Sequence, residues 1–331
     1  MDPLTHTAAG LFLGRAGLKR FTPRAVPILL LAANIPDIDI LARASGSLSY
    51  LHFHRHLTHS LIAMPLMAIL PVALVRFAGR KPIHWLGAFL ISLAAVAAHL
   101  LLDLTNSYGV RLLLPFSQRW FRLDLTSVVD LCTWAAIAFA IAGPFLSKLV
   151  GSEMQPRRSG AATYGRGFAI FGLFFLLLYN TGRFVAHQRA IAILESRMYK
   201  GMASVRVAAF PDLVNPLRWH GYAETGDLIA LSDFTVSGDA DPTRAEYLFK
   251  PAPDPVLNAA QRSPAIQEFV RFAQFPYWRI ALVSDGSDNR LVEVFDLRFG
   301  DPRNPGFMAS ALVSPSGQIL KSDFQFGRRP R

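Results

Sequence analysis

The sequence predicts a mainly α fold: a polytopic helical membrane domain over residues 1–190, followed by a soluble α+β domain with an antiparallel sheet over residues 191–331. Three observations carry this expectation. Hydrophobic residues make up 52% of the 331-residue chain, and the mean hydropathy is positive. The apolar residues crowd between Ser60 and His187 in runs near the length of a membrane span. After about residue 190 the pattern changes to short alternating segments separated by turn clusters, the mark of antiparallel strands.

Taken in order, residues 4–20 suit a short helix with small residues on one face, ended before Pro23 and Pro27. Residues 26–35 are apolar but too few to cross a bilayer, and fit a buried or re-entrant helix. Four longer runs follow at 60–77, 83–102, 127–150 and 167–186. About 20 apolar residues cover a hydrocarbon core of about 30 Å, so about four transmembrane helices are expected. Pro65 and Pro71 in the first run are tolerable where neighbours satisfy the freed carbonyls. Beyond them, VRVAAF (205–210), RWHGYAE (218–224), LIALSDFTV (228–236), WRIALVS (278–284) and LVEVFDLRF (291–299) read as strands. SDGSDN (284–289) and SPSGQ (314–318) read as turns, and PAIQEFVRFAQF (264–275) has helical spacing.

Net charge is +11. The basic residues cluster beside apolar runs, as at Arg80–Lys81 and Arg157–Arg158, which points to loops flanking membrane helices rather than to nucleic acid. Counting positive residues puts the 78–82 and 151–166 loops in the cytoplasm. The N-terminal motifs, the 103–126 loop and the C-terminal domain then lie on the extracytoplasmic side. Arg15, Lys19, Arg20 and Arg24 on the opposite side blunt that signal. MDPLTH does not read as a signal peptide, so internal spans are expected to direct insertion. The single cysteine, Cys132, lies in an apolar run, which excludes an intramolecular disulfide and a cysteine-based zinc site.

Four motifs carry chemistry: THTAAG with His6, NIPDID with Asp37 and Asp39, HRHLTHS with His54 and His59, and HLLLDLTNSYG with His99 and Asp103. Histidine and aspartate are expensive beside hydrocarbon, so their gathering there points to function. His99 and Asp103 are four apart and share a helix face, where they can hold one ion or orient one another. Asp37 and Asp39 follow Pro36 in a tight loop that suits a hard or borderline cation, or a turn with a helix cap. Thr58 is expected to cap the first span, which sets His59 at its start and His54 in the approach. Arg55 is a candidate clamp for a phosphate or carboxylate. His6 gains weight only from the other motifs. Together these seven side chains suffice for one or two ions, a device for hydrolysing phosphate esters and amides. Asp124 or Asp130 is a candidate for orienting the water or a histidine, against the plainer reading of helix caps. Asn180 and Arg183 read as packing or snorkelling residues. No Walker loop, GxGxxG or GxSxG is present.

In this order, THTAAG, NIPDID, FHRHLTHS, HLLLDLTNSYG and LLLPFSQRWFRLD with Asp130 resemble a bacterial family of membrane-bound metal-dependent hydrolases, distantly similar to zinc-dependent phospholipase C. The resemblance covers roughly residues 1–190, and the C-terminal domain resembles that of longer members. It implies functional roles for His6, Asp37, Asp39, His54, Arg55, Thr58, His59, His99, Asp103 and Asp130, and a lipid or lipid-linked phosphoester as substrate. Mixed His/Asp ligation suits Zn²⁺ first, with Mn²⁺ or Fe²⁺ as alternatives. The competing expectation is a non-catalytic protein that binds or transports metal, or anchors its C-terminal domain. A transporter would carry its ligands at mid-membrane depth, whereas these lie at span ends.

Overall fold

A computed structural model describes residues 1–79, 82–154, 161–238, 240–283 and 288–327. Arg80, Lys81, Arg157 and Arg158, on which much of the charge argument rests, and most of the 284–289 turn lie outside the described residues.

Helix α1 (Pro3–Ala16) starts where Asp2 accepts the backbone N–H groups of Leu4 and Thr5 at 3.0 and 3.1 Å, an N-cap with proline at the first position. It packs on α2 (Ala25–Ala32) so closely that a Cβ at Gly10 would stand 2.7 Å from the Leu29 carbonyl oxygen. Helix α2 bends by 47° into a 3₁₀ segment, Ile35–Ser45, which holds NIPDID. There follow α3 (Ser47–Phe53), a 3₁₀ turn (Leu57–His59) and α4 (Met64–Phe77), with an 89° bend between the α3–turn unit and α4. Then come α5 (Trp85–Thr105), α6 (Leu131–Met154) and α7 (Ala161–Glu195).

Among the described residues, three helices are long and apolar enough to cross a membrane: Trp85–Thr105, Leu131–Leu149 and Gly165–Glu195. The run expected at 60–77 forms a helix only from Met64. Residues 60–63 turn instead, and no side chain caps α4. Its 14 residues rise about 21 Å, short of a hydrocarbon core unless the bent segment before it is included. Each of the two bent pairs can count as one broken span or as a re-entrant loop. Helix α7 carries the chain across residue 190 without a break.

The C-terminal region begins with a small hairpin, β1 (Met198–Tyr199) and β2 (Met202–Ala203). One four-stranded antiparallel sheet follows: β3 (Arg206–Pro211), β4 (Arg218–Glu224), β5 (Leu228–Thr235) and β6 (Glu246–Phe249), in sequential order. Helices α8 (Pro255–Ala260) and α9 (Pro264–Phe272) precede β7 (Pro276–Leu282) and β8 (Arg290–Asp296). A two-residue pair, β9 (Gly300–Asp301) and β10 (Asn304–Pro305), leads to β11 (Phe307–Val313) and β12 (Ile319–Phe326). The second sheet has the order β12-β11-β8-β7, all antiparallel. Ile266, Phe269 and Phe272 of α9 pack against Val292, Val294, Ala309 and Ala311 of that sheet. Leu51 of α3 and Tyr108 join the same cluster, so the C-terminal sheet rests on the residues around the polar motifs.

Candidate metal centre

The bends place four motifs at the C-terminal end of α5. His99 and Asp103, four residues apart, both turn inward and are buried. The Nδ1 atom of His99 lies 2.8 Å from the Ala33 carbonyl. A carbonyl only accepts, so Nδ1 carries the proton and Nε2 presents a lone pair. That Nε2 stands 3.2 Å from His59 Nε2 and 3.3 Å from Asp103 Oδ2. His59 Nε2 is 3.4 Å from both Asp103 Oδ2 and Asp37 Oδ1, and His99 Nε2 is 3.8 Å from Asp37 Oδ1. Donors bound tetrahedrally at about 2.0–2.1 Å stand roughly 3.3 Å apart, so these four side chains match one ion. Asp103 Oδ2, fully buried, has no hydrogen bond among the described residues.

Asp39 lies behind His59. Its Oδ2 accepts the Arg55 backbone N–H at 2.8 Å and the Thr58 hydroxyl at 3.0 Å, and is 3.3 Å from His59 Nδ1. Its Oδ1 is 2.9 Å from His54 Nδ1. A carboxylate behind an imidazole fixes the ring and its tautomer. Asp37, Asp39 and His54 also form a second, overlapping set of possible donors, with Asp37 common to both. The carboxylates of Asp103, Asp37 and Asp39 all lie within 3.4 Å of the His59 ring nitrogens. Their negative field favours a cation.

His6 is buried and stacks on His99 with ring centres 3.8 Å apart. Its Nε2 is 3.5 Å from Asp103 Oδ1 and 3.2 Å from the Met1 carbonyl, and its Nδ1 has no hydrogen-bond partner among the described residues. It therefore stands beside the four-donor set. The Met1 amine also touches Asp103.

The remaining expected residues are built into the frame. Thr58 does not cap α4, because its hydroxyl serves Asp39. The Arg55 guanidinium is buried: it reaches Asp103 Oδ1 at 2.7 Å, Asn106 Oδ1 at 3.1 Å and the Gly109 carbonyl at 3.0 Å, with Tyr108 beneath it at 4.7 Å. Asp130 caps α6 through the Thr133 N–H at 2.8 Å and accepts from the Tyr179 hydroxyl at 3.0 Å. It belongs to neither donor set. Asp124 pairs with Arg122. Asn180 donates to Leu176 within its helix, and Arg183 is buried against the Leu125 and Pro216 carbonyls and the Trp219 ring. His52 pairs with Glu268 of α9 at 2.8 Å, outside the donor sets.

Sequence reasoning quoted Asn106 and Tyr108 within HLLLDLTNSYG without giving either a role. The signal was present: Asn106 lies three residues past Asp103, and its amide donates to Asp103 Oδ1 at 3.3 Å.

The family model described as YdjM inner membrane protein matches residues 1–190, more than half of the chain, and the chain belongs to that family. The chain is also 33% identical over 158 residues to the uncharacterized protein YfhP of Bacillus subtilis (strain 168), a match that spans 43% of this chain and 47% of that protein. This chain thus spans about half the length of that relative. No solved structure matches the chain.

Proposed function

We propose that this inner-membrane family member is a metal-dependent hydrolase acting at the membrane surface on a lipid or lipid-linked phosphoester. The carrying observation is the convergence of His59 Nε2, His99 Nε2 and Asp103 Oδ2 within 3.4 Å, with Asp37 completing the set. These four would hold one divalent ion, and Zn²⁺ suits imidazole and carboxylate donors at these separations, with Mn²⁺ or Fe²⁺ as alternatives. Asp37, Asp39 and His54 would hold a second ion, sharing Asp37. A bound ion lowers the pKa of water to about 7 and offsets oxyanion charge. Asp39 holds His59 in its ligating tautomer. Arg55 aims Asp103 rather than meeting the substrate, since its guanidinium is buried in protein contacts. Among the four donors only Asp37 has an accessible side chain, at 20%, so substrate would approach from its side.

That closure also favours a second reading, a centre that holds or passes metal without breaking bonds, because structural sites are closed whereas catalytic ones keep an open position. Metal analysis of the purified full chain tests the shared premise: His59→Ala and Asp103→Ala should each abolish stoichiometric metal, and undiminished content in both defeats it. A phospholipid panel with added Zn²⁺ or Mn²⁺ separates the readings. Turnover supports hydrolysis, and tight metal binding without turnover supports the second. We set the site and the C-terminal domain on the extracytoplasmic face, a reading supported by Arg76, Lys148 and Arg166 at the opposite helix ends. Protease cleavage of the C-terminal domain in intact inverted vesicles, but not in spheroplasts, would reverse that orientation.

A further inference from the structure

We infer that Arg298 is a positioning residue for the metal centre, so that the C-terminal domain completes a site whose donors all come from the membrane domain. The inference rests on the metal reading above. Arg298 follows β8, and its guanidinium is fully buried. All five N–H donors are matched. Nε meets Asp296 at 2.9 Å, and NH2 serves Asp296 and the Phe272 carbonyl, the latter at 3.1 Å. NH1 crosses to the membrane domain, donating to the Ser107 carbonyl at 2.9 Å and the Tyr108 carbonyl at 3.0 Å.

Those carbonyls belong to the turn that leaves α5. The same turn presents Asn106 Oδ1 and the Gly109 carbonyl to Arg55 NH1. Its Tyr108 ring lies under the Arg55 guanidinium and packs on Phe272 of α9 at 4.9 Å and on Phe299 at 6.0 Å. Arg55 NH2 takes Asp103 Oδ1, which leaves Oδ2 facing His59 and His99. Arg55 has φ 54°, a backbone state that a non-glycine residue keeps only when its surroundings fix it. The line of support therefore runs from Arg298 through the 106–109 turn to Arg55 and Asp103. Its far end lies beyond residue 190, where the family match stops.

The test uses the full chain in nanodiscs. Arg298→Lys keeps a positive charge beside Asp296 but loses the planar fork that spans both domains. Zn²⁺ affinity by chelator competition should fall about 10–100-fold, the usual effect of an outer-sphere change. The absorption spectrum of the Co²⁺-loaded chain should shift, while the thermal melt stays cooperative. Tyr108→Leu, which leaves the Arg298–Asp296 pair intact, should move both readouts the same way. If Arg298→Lys fails to fold, Asp296→Asn, which loosens the pair that aims the Arg298 guanidinium, is read in its place, and wild-type affinity and spectrum there overturn the inference. Arg279→Gln breaks the 2.8 Å contact to Glu293 within the same sheet and should leave both at wild-type values. A folded Arg298→Lys chain with wild-type affinity and spectrum overturns the inference, as does an equal loss in Arg279→Gln. If the wild-type chain takes up no metal, the proposed function falls and this inference with it. If it does and Arg298→Lys matches it, this inference alone falls.

Discussion

Replacing Asp39 by asparagine separates an outer carboxylate from a ligand. Asp39 Oδ2 receives the Arg55 N–H and the Thr58 hydroxyl and faces His59 Nδ1, while Oδ1 faces only His54 Nδ1. An asparagine side chain keeps one acceptor and turns the other oxygen into a donor. It should keep its oxygen toward the three groups at Oδ2 and point its amide at His54, which must then switch tautomer. His59 keeps a neutral acceptor in place of a carboxylate, so its ring is held but less basic. The expected loss is that of an outer partner, about 10–100-fold in metal affinity, or about 1.4–2.8 kcal/mol. Chelator competition with Zn²⁺ on the full chain, with metal per chain counted in parallel, reads both quantities. Wild-type affinity would refute the role given to Asp39. A fall in stoichiometry from two ions to one would instead report the part proposed for Asp39 in holding a second ion shared through Asp37.

Three further outcomes follow from the same contacts. Asp130→Ala should leave metal affinity unchanged and lower stability by roughly 1–2 kcal/mol, the loss of an N-cap and a tyrosine hydrogen bond; chelator competition and chemical denaturation measure the two effects, and weakened metal binding would return Asp130 to the site. Tyr179→Phe should show a smaller fall of about 1 kcal/mol in the same denaturation assay, again without change in metal. The β3–β6 sheet should weaken in acid. Burial pushes Asp212, Asp233 and Glu224 up, but hydrogen bonds outweigh it: the Asn215 and Val214 N–H groups for Asp212, His220 and Arg218 for Asp233, and Lys250 and Tyr222 for Glu224. All three are thereby held below their ordinary values of 3.8, 3.8 and 4.5. Their contribution is complete above those ordinary values and is lost as pH falls through the lower folded ones. Melting temperature against pH should show this, and Asp233→Asn should flatten the acid limb; an unchanged limb would contradict the assignment.

How much of this was legible in the sequence depends on how local each feature is. His99 and Asp103 were readable together because a four-residue separation on a helix fixes a shared face whatever surrounds it. The strands from β3 to β5, β7 and β8, the helix α9 and the turn at 314–318 were legible for the same reason. Helix α8 and strands β6, β11 and β12 were not assigned. In β11, the run Ala309-Ser310-Ala311 carries little strand preference and is held by pairing on both sides. The shortening of α4 depends on the 89° bend before it, which no periodicity in SLIAMPLMAILPVALVRF records. The contacts of Arg55, Thr58 and Asp130 were not legible because each depends on what lies opposite in space. An arginine in a histidine-rich motif suggests an anion site, but only its placement over Tyr108 and against Asp103 shows the guanidinium turned into protein contacts.

Charge balance explains why these polar groups collect at this end of α5. The C-terminal end of a helix carries partial negative charge, so a buried aspartate in its last turn is doubly disfavoured there. Asp103 tolerates the position only with positive partners. Arg55 supplies one for Oδ1, while burial pushes the Met1 amine toward its neutral form despite its contact with Asp103. The remaining carboxylates, Asp37 and Asp39, add to the deficit. Three carboxylates against one guanidinium leave a charge of −2 among side chains within a few ångströms. Histidines that ligate an ion do so as neutral rings and leave that sum unchanged, and one divalent ion cancels it. A second divalent ion would bring the sum to +2, and a negatively charged phosphoester arriving at the Asp37 side would offset part of it as a diester or all of it as a dianionic monoester. Substrate anions should therefore raise the affinity for a second ion far more than for the first, and inorganic phosphate titrated into the singly loaded chain is the direct measurement. Second-ion binding indifferent to phosphate would leave a mononuclear centre as the better account.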